Sequence, residues 1–245
     1  MTEPAPPFDP VAEVFDAVAH TYDNVGVEFF RPIARRLVHE LAPRPGERGA
    51  VLFPLAEAVA PGGAVTAIDV APLMVAATAA DVAAAELDPA HVTVEVRQGD
   101  AMAPDVAPGS VDLIASSLVL FFLPDPAAAL VAWHRLLADG GRVGVSTFGS
   151  HSETWHAVDG VFAPYLPTGL PDPRNMTADT PFGSDAGMEQ LLAGAGFTDV
   201  RTISWTTSLR FDAADHWHRW WWSVGQRRVW LLVPERARPA GRARA

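Results

Sequence analysis

Two aspartates follow strand-like segments at positions where a carboxylate could bind a nucleoside. Asp69 closes the segment AVTAIDV, twenty residues after Gly49, and Asp100 comes directly after VTVEVRQ and Gly99. In a doubly wound sheet, an acid after the second strand accepts hydrogen bonds from both ribose hydroxyls of a nucleoside. An aspartate after the next strand can accept from the exocyclic amine of an adenine. Each aspartate alone could equally cap a helix or form a turn, but the pair favours adenosine binding.

These aspartates belong to an alternation of apolar, strand-like segments and alanine-rich, helical segments. Buried strands separated by helices are typical of a parallel sheet that is covered on both faces. The sequence therefore predicts an α/β fold with a doubly wound, mostly parallel, Rossmann-like sheet. We predict strands at 64–70, 92–98, 111–118 and 142–147, and helices at 51–59, 71–87 and 126–137.

The flanking segments complete one domain over residues 1–245. Residues 1–10 contain four prolines and predict a disordered lead-in, followed by N-terminal helices at 11–41 and a core at 42–148. Residues 149–186 are rich in proline and glycine and too long for an ordinary connection, which indicates a lid or substrate loop. In the last part, 187–245, we predict a helix at 184–196, an antiparallel strand at 197–211 and a tryptophan-rich helix at 212–222.

Composition excludes several classes of protein. The 245 residues include no cysteine, which rules out disulfides, thiolate metal sites and cysteine nucleophiles. No apolar run could span a membrane and no secretion signal is evident, so we expect a cytoplasmic protein. Residues 1–200 carry a net charge of −17 and residues 201–245 one of +6. An acidic body argues against nucleic acid, and the expected partner is a small-molecule acceptor, with a homodimer possible and no membrane contact.

Four motifs in order resemble the class I S-adenosylmethionine-dependent methyltransferases: AVTAIDVAPLM, VRQGDA, VDLIASSLVLFFLPDP and LLADGGRVGVSTFG. The resemblance covers about residues 12–150, including the first helix FDAVAHTYD. It is greatest for the branch that contains quinone-biosynthesis C-methyltransferases and small-molecule tailoring enzymes. It implies S-adenosyl-L-methionine as cofactor and S-adenosyl-L-homocysteine as product. The implied reaction is in-line methyl transfer to oxygen or carbon of a small, largely apolar or aromatic metabolite.

The resemblance also implies roles for residues at the adenosine end of the cofactor. Asp69 would hold the ribose hydroxyls, with Val70 beside it, and Met74 would pack on the adenine. Asp100 would meet the adenine amine, with Ala101 next to it. Met74 could equally be an ordinary core residue.

At the methionine end the sequence departs from the family. The resemblance implies that Ser116 lies near the methionine part, that Tyr22 closes over its amino-acid end, and that Gly49 belongs to the site. The family's first strand and Gly-x-Gly-x-Gly turn should follow Arg48, where the chain is about eight residues too short. Either residues are missing from the sequence here, as the family-like flanks favour, or the protein lacks the turn and binds the cofactor less well.

Histidines supply the candidate general bases for a hydroxyl or acidic carbon. His151 and His156 follow the predicted fifth strand, His20 lies in the N-terminal helices, and Asp159 could partner one of them. For each histidine the alternative of a solvated loop residue is the commoner one. The run His216-Trp217-His218-Arg219-Trp220-Trp221-Trp222 predicts no metal site, because its two histidines point to different faces of a helix. Its tryptophans either pack on the sheet or line a cavity for an apolar acceptor.

Two other functions compete with methyl transfer. A cyclase or binding scaffold could keep the fold and the cofactor without transferring a methyl group, and the absent glycine turn would favour it. An NAD-dependent oxidoreductase also carries an acid after its second strand, but the sequence has no Gly-x-Gly-x-x-Gly motif.

Overall fold

The sheet is built from five short strands, all paired in parallel. A computed structural model of the protein describes residues 10–23, 25–49, 52–167 and 180–237. Two ladders are present in these ranges, one in the order β1-β2-β3 and one joining β4 to β5. The strands are β1 (Arg48–Gly49), β2 (Gly63–Asp69), β3 (Val92–Gln98), β4 (Val111–Ser117) and β5 (Leu137–Ser146).

The group of strands β1-β2-β3 and the pair β4-β5 lie edge to edge. Strand β1 contacts β4, and the main-chain N–H of Arg48 donates to the Asp112 carboxylate at 2.9 Å. The order is therefore β3-β2-β1-β4-β5, with the main-chain ladder interrupted between β1 and β4. The α/β fold with a parallel sheet is confirmed, and the strands predicted at 64–70, 92–98 and 111–118 match β2, β3 and β4 within one residue at each end.

Helices connect the strands and cover the sheet. Three of them begin at a residue whose side chain accepts a main-chain N–H of the first turn: Asp125, Ser152 and Ser184. The helices are α1 (Pro10–Asp16), α2 (Phe30–Leu41), α3 (Leu52–Val59), α4 (Pro72–Ala84), α5 (Pro126–Leu136), α6 (Glu153–Gly160), α7 (Asp185–Gly194), α8 (Ala214–Trp222) and α9 (Arg227–Leu232). None of the helices in these ranges is long and apolar enough to cross a membrane.

Core packing shows that both faces of the sheet are covered. Successive residues of a strand point to opposite faces, and Leu113 and Ile114 of β4 belong to different apolar clusters. Leu113 packs in the cluster with residues of α2 and α3, whereas Ile114 packs in the cluster with residues of α5 and α7. A third cluster, around Trp220 and Trp221, joins α8, α9 and the segment after α6.

The predicted strand at 197–211 is wrong. This segment is irregular throughout, and the side chains of residues 201–208 are exposed. An alternating apolar pattern forms a strand only where a partner edge accepts its main-chain hydrogen bonds. Here the main-chain N–H of Thr202 donates instead to the Glu189 carboxylate at 3.0 Å.

Three other expectations need correction or restriction. Strand β5 begins at Leu137, five residues earlier than predicted, with an irregular register opposite Val111. The predicted loop at 149–186 contains helix α6, while its residues 168–179, like the lead-in at 1–9 and the basic tail from 238, lie outside the described residues. Only residues 50 and 51, which lie outside the described residues, separate β1 from α3, so the expectation of missing residues after Arg48 stays a prediction.

Candidate active site

The carboxyl ends of β2 and β3 bring Asp69 and Asp100 to one edge of the sheet. The two strands pair in register, with Asp69 opposite Gln98. The Asp69 carboxylate accepts the N–H of Ala71 at 2.8 Å, and the Asp100 carboxylate accepts the N–H of Met102 at 2.7 Å. Each aspartate therefore stabilises the turn that follows its strand, which is the alternative role considered for it from the sequence. The two aspartates also lie at the ends of neighbouring strands.

Asp69 has an unusual electrostatic environment. Restricted contact with water is the largest effect and raises the pKa of its carboxyl above the usual 3.8, and the like charge of Asp16 raises it further. The N–H groups of Ala71 and Val70 act in the opposite direction. The Asp16 carboxylate also accepts the N–H of Leu73 at 2.8 Å, which ties α1 to the start of α4. Sequence reasoning missed Asp16, because nothing in its local pattern indicates contact with a residue so distant in the chain.

Tyr22 lies close enough to Asp69 for the charge of that carboxylate to shift the pKa of its phenol. Burial raises the pKa of the Tyr22 phenol most, and the charges of Asp23 and Asp69 raise it further, so the hydroxyl stays protonated. Its ring stacks on Phe30, with centroids 4.6 Å apart. The Asp23 carboxylate accepts the N–H of Phe29 at 3.2 Å and thereby fixes the chain just before α2. The stacking on Phe30 and the hydrogen bond of Asp23 thus hold the Tyr22 ring against the start of α2.

The other residues predicted at the adenosine end surround the same two strand ends. Met74 is half-buried in the first turn of α4. The carbonyl of Val70 accepts the side-chain amide of Gln98 at 3.1 Å, and the carbonyl of Ala101 accepts the indole N–H of Trp133 at 2.8 Å. These bonds lock the loops after β2 and β3 in place.

Gly49 and Ser116 lie on the two strands at the centre of the sheet. Gly49 pairs with Val65 in β1, and Ser116 lies opposite Val145 near the end of β4. The Ser116 side chain is buried, and its hydroxyl has no hydrogen-bond partner among the described residues. A buried hydroxyl without a partner is unfavourable, which makes Ser116 a candidate for contact with a ligand.

Seven aromatic side chains form a closed ring of contacts, which we call the aromatic belt. Successive ring centroids are 4.6–6.4 Å apart. Phe121 and Phe122 lie just after β4 and Phe148 lies just after β5, so the belt stands at the carboxyl edge of the sheet. Their positions after two strands were visible in the sequence and could have marked them. The belt runs through Phe15, Tyr22, Phe30, Phe29, Phe148, Phe121, Phe122 and back to Phe15.

The candidate histidines differ in their relation to the belt. His151 is half-buried, with its ring 6.0 Å from that of Phe148. His156 is exposed on α6 and lies 6.0 Å from His151. His20 is exposed in the turn after α1, and Asp159 lies half-buried on α6. The geometry therefore joins His151 to the belt. Among the described residues, no group of three or more histidines or acids is arranged to hold a metal ion.

Comparisons with known proteins agree on one family. Residues 46–145 match the methyltransferase domain family. The chain is 38% identical to nocamycin O-methyltransferase of Saccharothrix syringae over 242 residues, covering 91% of this chain and 85% of that protein. It is 36% identical to aklanonic acid methyltransferase DauC of Streptomyces sp. (strain C5) over 168 residues, covering 65% and 74%. A SAM-dependent methyltransferase from Aquifex aeolicus shares the fold, with a TM-score of 0.50, 18% identity and coverage of 77% and 88%.

The residues present fit S-adenosylmethionine at its adenosine end better than at its methionine end. Asp69 and Asp100 provide two carboxylates at adjoining strand ends. Toward the methionine end the chain offers the unpartnered hydroxyl of Ser116, but the two-residue β1 is not followed by a glycine turn. The fold, the strand-end carboxylates and two relatives above 30% identity lead to one conclusion: the chain belongs to the class I S-adenosylmethionine-dependent methyltransferases.

Proposed function

We propose that this protein transfers the methyl group of S-adenosylmethionine to an oxygen of a small, largely apolar or aromatic metabolite. The observation that carries the proposal is the aromatic belt, in which Tyr22 lies near enough to Asp69 for that charge to raise its pKa and the Phe148 ring lies 6.0 Å from that of His151. The curated relatives support oxygen as the acceptor atom, since one is named as a nocamycin O-methyltransferase. A ring of phenylalanines offers apolar surface and no charge to a bound acceptor.

The strand-end residues would hold the cofactor. The Asp69 carboxylate would accept hydrogen bonds from the ribose hydroxyls, and Asp100 would accept the adenine amine. Ser116 would donate its otherwise unpartnered hydroxyl at the methionine end. The remaining members of the proposed cofactor site are Tyr22, Gly49, Val70, Met74 and Ala101.

For methyl transfer the protein has to orient the acceptor oxygen and remove one proton from its hydroxyl. When bound, S-adenosylmethionine supplies an electrophilic methyl group on a sulfonium. The belt would exclude water and align the acceptor oxygen, and such alignment can contribute roughly 7–11 kcal/mol to lowering the barrier. His151, at the belt's edge, would accept the hydroxyl proton as general base. His156 beside it would pass that proton to water. His20 is a less favoured base because its side chain is exposed in the turn after α1.

The setting of the reaction belongs to the same proposal. We expect a single domain acting in the cytoplasm on a small molecule, without nucleic acid or a membrane as partner, as a monomer or a homodimer. The net charge of −11 supports the exclusion of nucleic acid. The segment at 149–186 would close over the acceptor.

Tritium transfer tests the proposal. The purified protein is incubated with S-adenosylmethionine labelled in its methyl group and with 2-hydroxyanthraquinone as a probe acceptor. We expect tritium in the quinone with the wild-type protein and a loss of about 10²–10⁴-fold in rate with His151→Gln. The matched control is His39→Gln, because His39 is exposed at the end of α2. If His151→Gln retains the wild-type rate, His151 is not the base.

The shortened first strand favours one alternative, a scaffold that binds the cofactor without methyl transfer. A scaffold would bind S-adenosylhomocysteine in calorimetry and release no tritium to any acceptor in a metabolite extract. An active methyltransferase would do both. Absence of S-adenosylhomocysteine binding would contradict both functions.

A further inference from the structure

Two buried indole groups beside the aromatic belt lack hydrogen-bond partners. The Nε1–H groups of Trp155 and Trp220 have no acceptor among the described residues, and Trp220 is only 1% exposed. Their rings contact each other edge to face, with centroids 6.0 Å apart. Burying an indole N–H without an acceptor is unfavourable, and each such group in a folded protein calls for an explanation.

This fold provides acceptors for an indole elsewhere. The Nε1–H of Trp133, also buried, donates to the carbonyl of Ala101 at 2.8 Å. Trp230 shares the lack of a partner, but its ring contacts are with Phe162, Trp217 and His218, which are outside the belt. Trp155 and Trp220 are therefore distinguished by where they lie.

The indole pair adjoins the belt at two points. Trp220 contacts Phe29, with centroids 5.5 Å apart, and Trp155 stacks with His151 at 6.2 Å. Phe29 and His151 both contact Phe148, the aromatic residue that follows β5. The two indole rings therefore lie next to the proposed general base and to the belt.

The chemistry of the pair restricts the acceptor. An indole nitrogen can donate a hydrogen bond but cannot accept one, whereas a carbonyl oxygen has two lone pairs and can accept from two donors. The rings in contact with the pair are those of Phe29, Phe211 and His151, and within the described ranges no arginine is stacked on either indole to favour an anion. An uncharged oxygen conjugated with a flat ring system meets both conditions.

We propose that Trp155 and Trp220 donate hydrogen bonds to a ring carbonyl of the acceptor, which is therefore a planar ketone or quinone that also bears the hydroxyl to be methylated. The proposal rests on the proposed function, because it places the methyl acceptor against the belt. Trp155 and Trp220 are then specificity-determining residues, whereas the belt supplies only apolar contact.

Binding of two matched probes tests this proposal without turnover. Calorimetry in the presence of S-adenosylhomocysteine compares 2-hydroxyanthraquinone with 2-hydroxyanthracene, which has the same ring shape but lacks the carbonyls. We expect the wild-type protein to bind the quinone about tenfold more tightly, as expected for one or two net hydrogen bonds. Trp155→Phe and Trp220→Phe should each reduce this preference to about threefold or less and leave the affinity for 2-hydroxyanthracene within about twofold of the wild-type value.

A control variant and two contrary outcomes complete the test. Trp205→Phe changes a tryptophan that is 44% exposed and outside the belt, so it should keep the tenfold preference. Thermal unfolding of each variant establishes that it folds. The proposal is overturned if wild-type protein binds both probes equally or neither of them, or if Trp155→Phe weakens both alike. Tritium transfer to other acceptors without a quinone preference would overturn this proposal alone, whereas failure to bind S-adenosylhomocysteine would overturn the proposed function.

Discussion

The main-chain carbonyl of Asp69 accepts a hydrogen bond from the N–H of Gly99 at 3.0 Å. This bond joins the last residue of β2 to the residue that follows β3, so the two strands leave the sheet at the same level. Because Asp100 follows Gly99 directly, its side chain and that of Asp69 are fixed at a common edge. Replacing either carboxylate should therefore weaken binding of the same ligand, the proposed cofactor.

We predict that Asp69→Asn weakens binding of S-adenosylhomocysteine about 10–100-fold, since hydrogen bonds to a charged group contribute about 1.5–3 kcal/mol. Calorimetry measures the affinity. Asp88→Asn is the matched control, because the Asp88 carboxylate makes the same kind of turn, accepting the N–H of Ala90 at 2.9 Å, but precedes β3. Equal weakening by the two variants would mean that Asp69 acts only through its turn.

Affinity for S-adenosylhomocysteine should depend on pH through Asp69. The pKa of its carboxyl is raised, mainly by restricted hydration and also by Asp16. The ionised form accepts the ribose hydroxyls, so affinity should fall with decreasing pH, beginning above the range of an ordinary aspartate. Asp16→Asn removes the like charge, keeps an oxygen for the N–H of Leu73, and should move this loss to lower pH. A loss that stays in place or moves to higher pH would contradict the assignment.

The sequence predicts best those elements whose pattern already includes their surroundings. Strands β2 and β4 are apolar runs and β3 alternates, and each pairs with a parallel strand that lies next to it in the α/β order. The segment at 197–211 has as clear an alternation, yet it forms no strand, because alternation cannot show whether an unpaired sheet edge is within reach. Tertiary partners, which a local pattern does not contain, decide such cases.

The same distinction applies to the candidate site. Asp69 and Asp100 were found because strand ends are visible in the sequence, and parallel strands end at one edge. Asp16 and the indole pair of Trp155 and Trp220 were not identified as site residues. Their roles come from long-range contacts and from a missing hydrogen-bond partner, neither of which has a local signal.

Stability should depend on a half-buried ion pair at the opposite edge of the sheet. Arg142 donates to both carboxylate oxygens of Glu47 at 2.9 Å and to the carbonyls of Leu41 and Ala42, which close α2. We predict that Glu47→Gln lowers the free energy of unfolding at pH 7 by about 1–3 kcal/mol, measured by urea denaturation. Glu57→Gln, at an exposed position of α3, should change it by less than about 0.5 kcal/mol.

The Glu47 effect should also fade in acid. The hydrogen bonds from Arg142 lower the pKa of the Glu47 carboxyl below its usual 4.5. A carboxyl whose pKa is lower in the folded protein stabilises it above the unfolded-state pKa, and that stabilisation is lost as the pH falls through the folded-state pKa. The difference between wild type and Glu47→Gln should thus be constant above about pH 5.5 and shrink below pH 4.5. A difference that grows in acid would contradict this.

Two glycines near β5 should respond differently to alanine. A Cβ at Gly144 would lie 2.9 Å from Leu37 and Leu41 side-chain carbons, whereas a Cβ at Gly149 would meet nothing within 4 Å. We predict that Gly144→Ala destabilises the protein by about 1–3 kcal/mol through overpacking, and that Gly149→Ala stays within about 0.5 kcal/mol. Urea denaturation of both variants decides. Equal changes in the free energy of unfolding would mean that α2 moves away from β5 without destabilising the protein.

The absent glycine turn should show in how affinity divides between the two ends of the cofactor. Asp69 and Asp100 lie where adenosine would bind, but only two residues, Ala50 and Val51, separate β1 from α3, where main-chain N–H groups would otherwise surround the methionine part. Most of the binding free energy should therefore come from adenosine.

We predict that S-adenosylhomocysteine binds no more than about tenfold more tightly than adenosine, a difference of about 1.4 kcal/mol or one net hydrogen bond. Calorimetry with both ligands measures this, and Ser116→Ala should remove most of the remaining difference, because its hydroxyl is the buried donor left without a partner. An S-adenosylhomocysteine preference of a hundredfold or more would mean that other main-chain groups take the place of the turn.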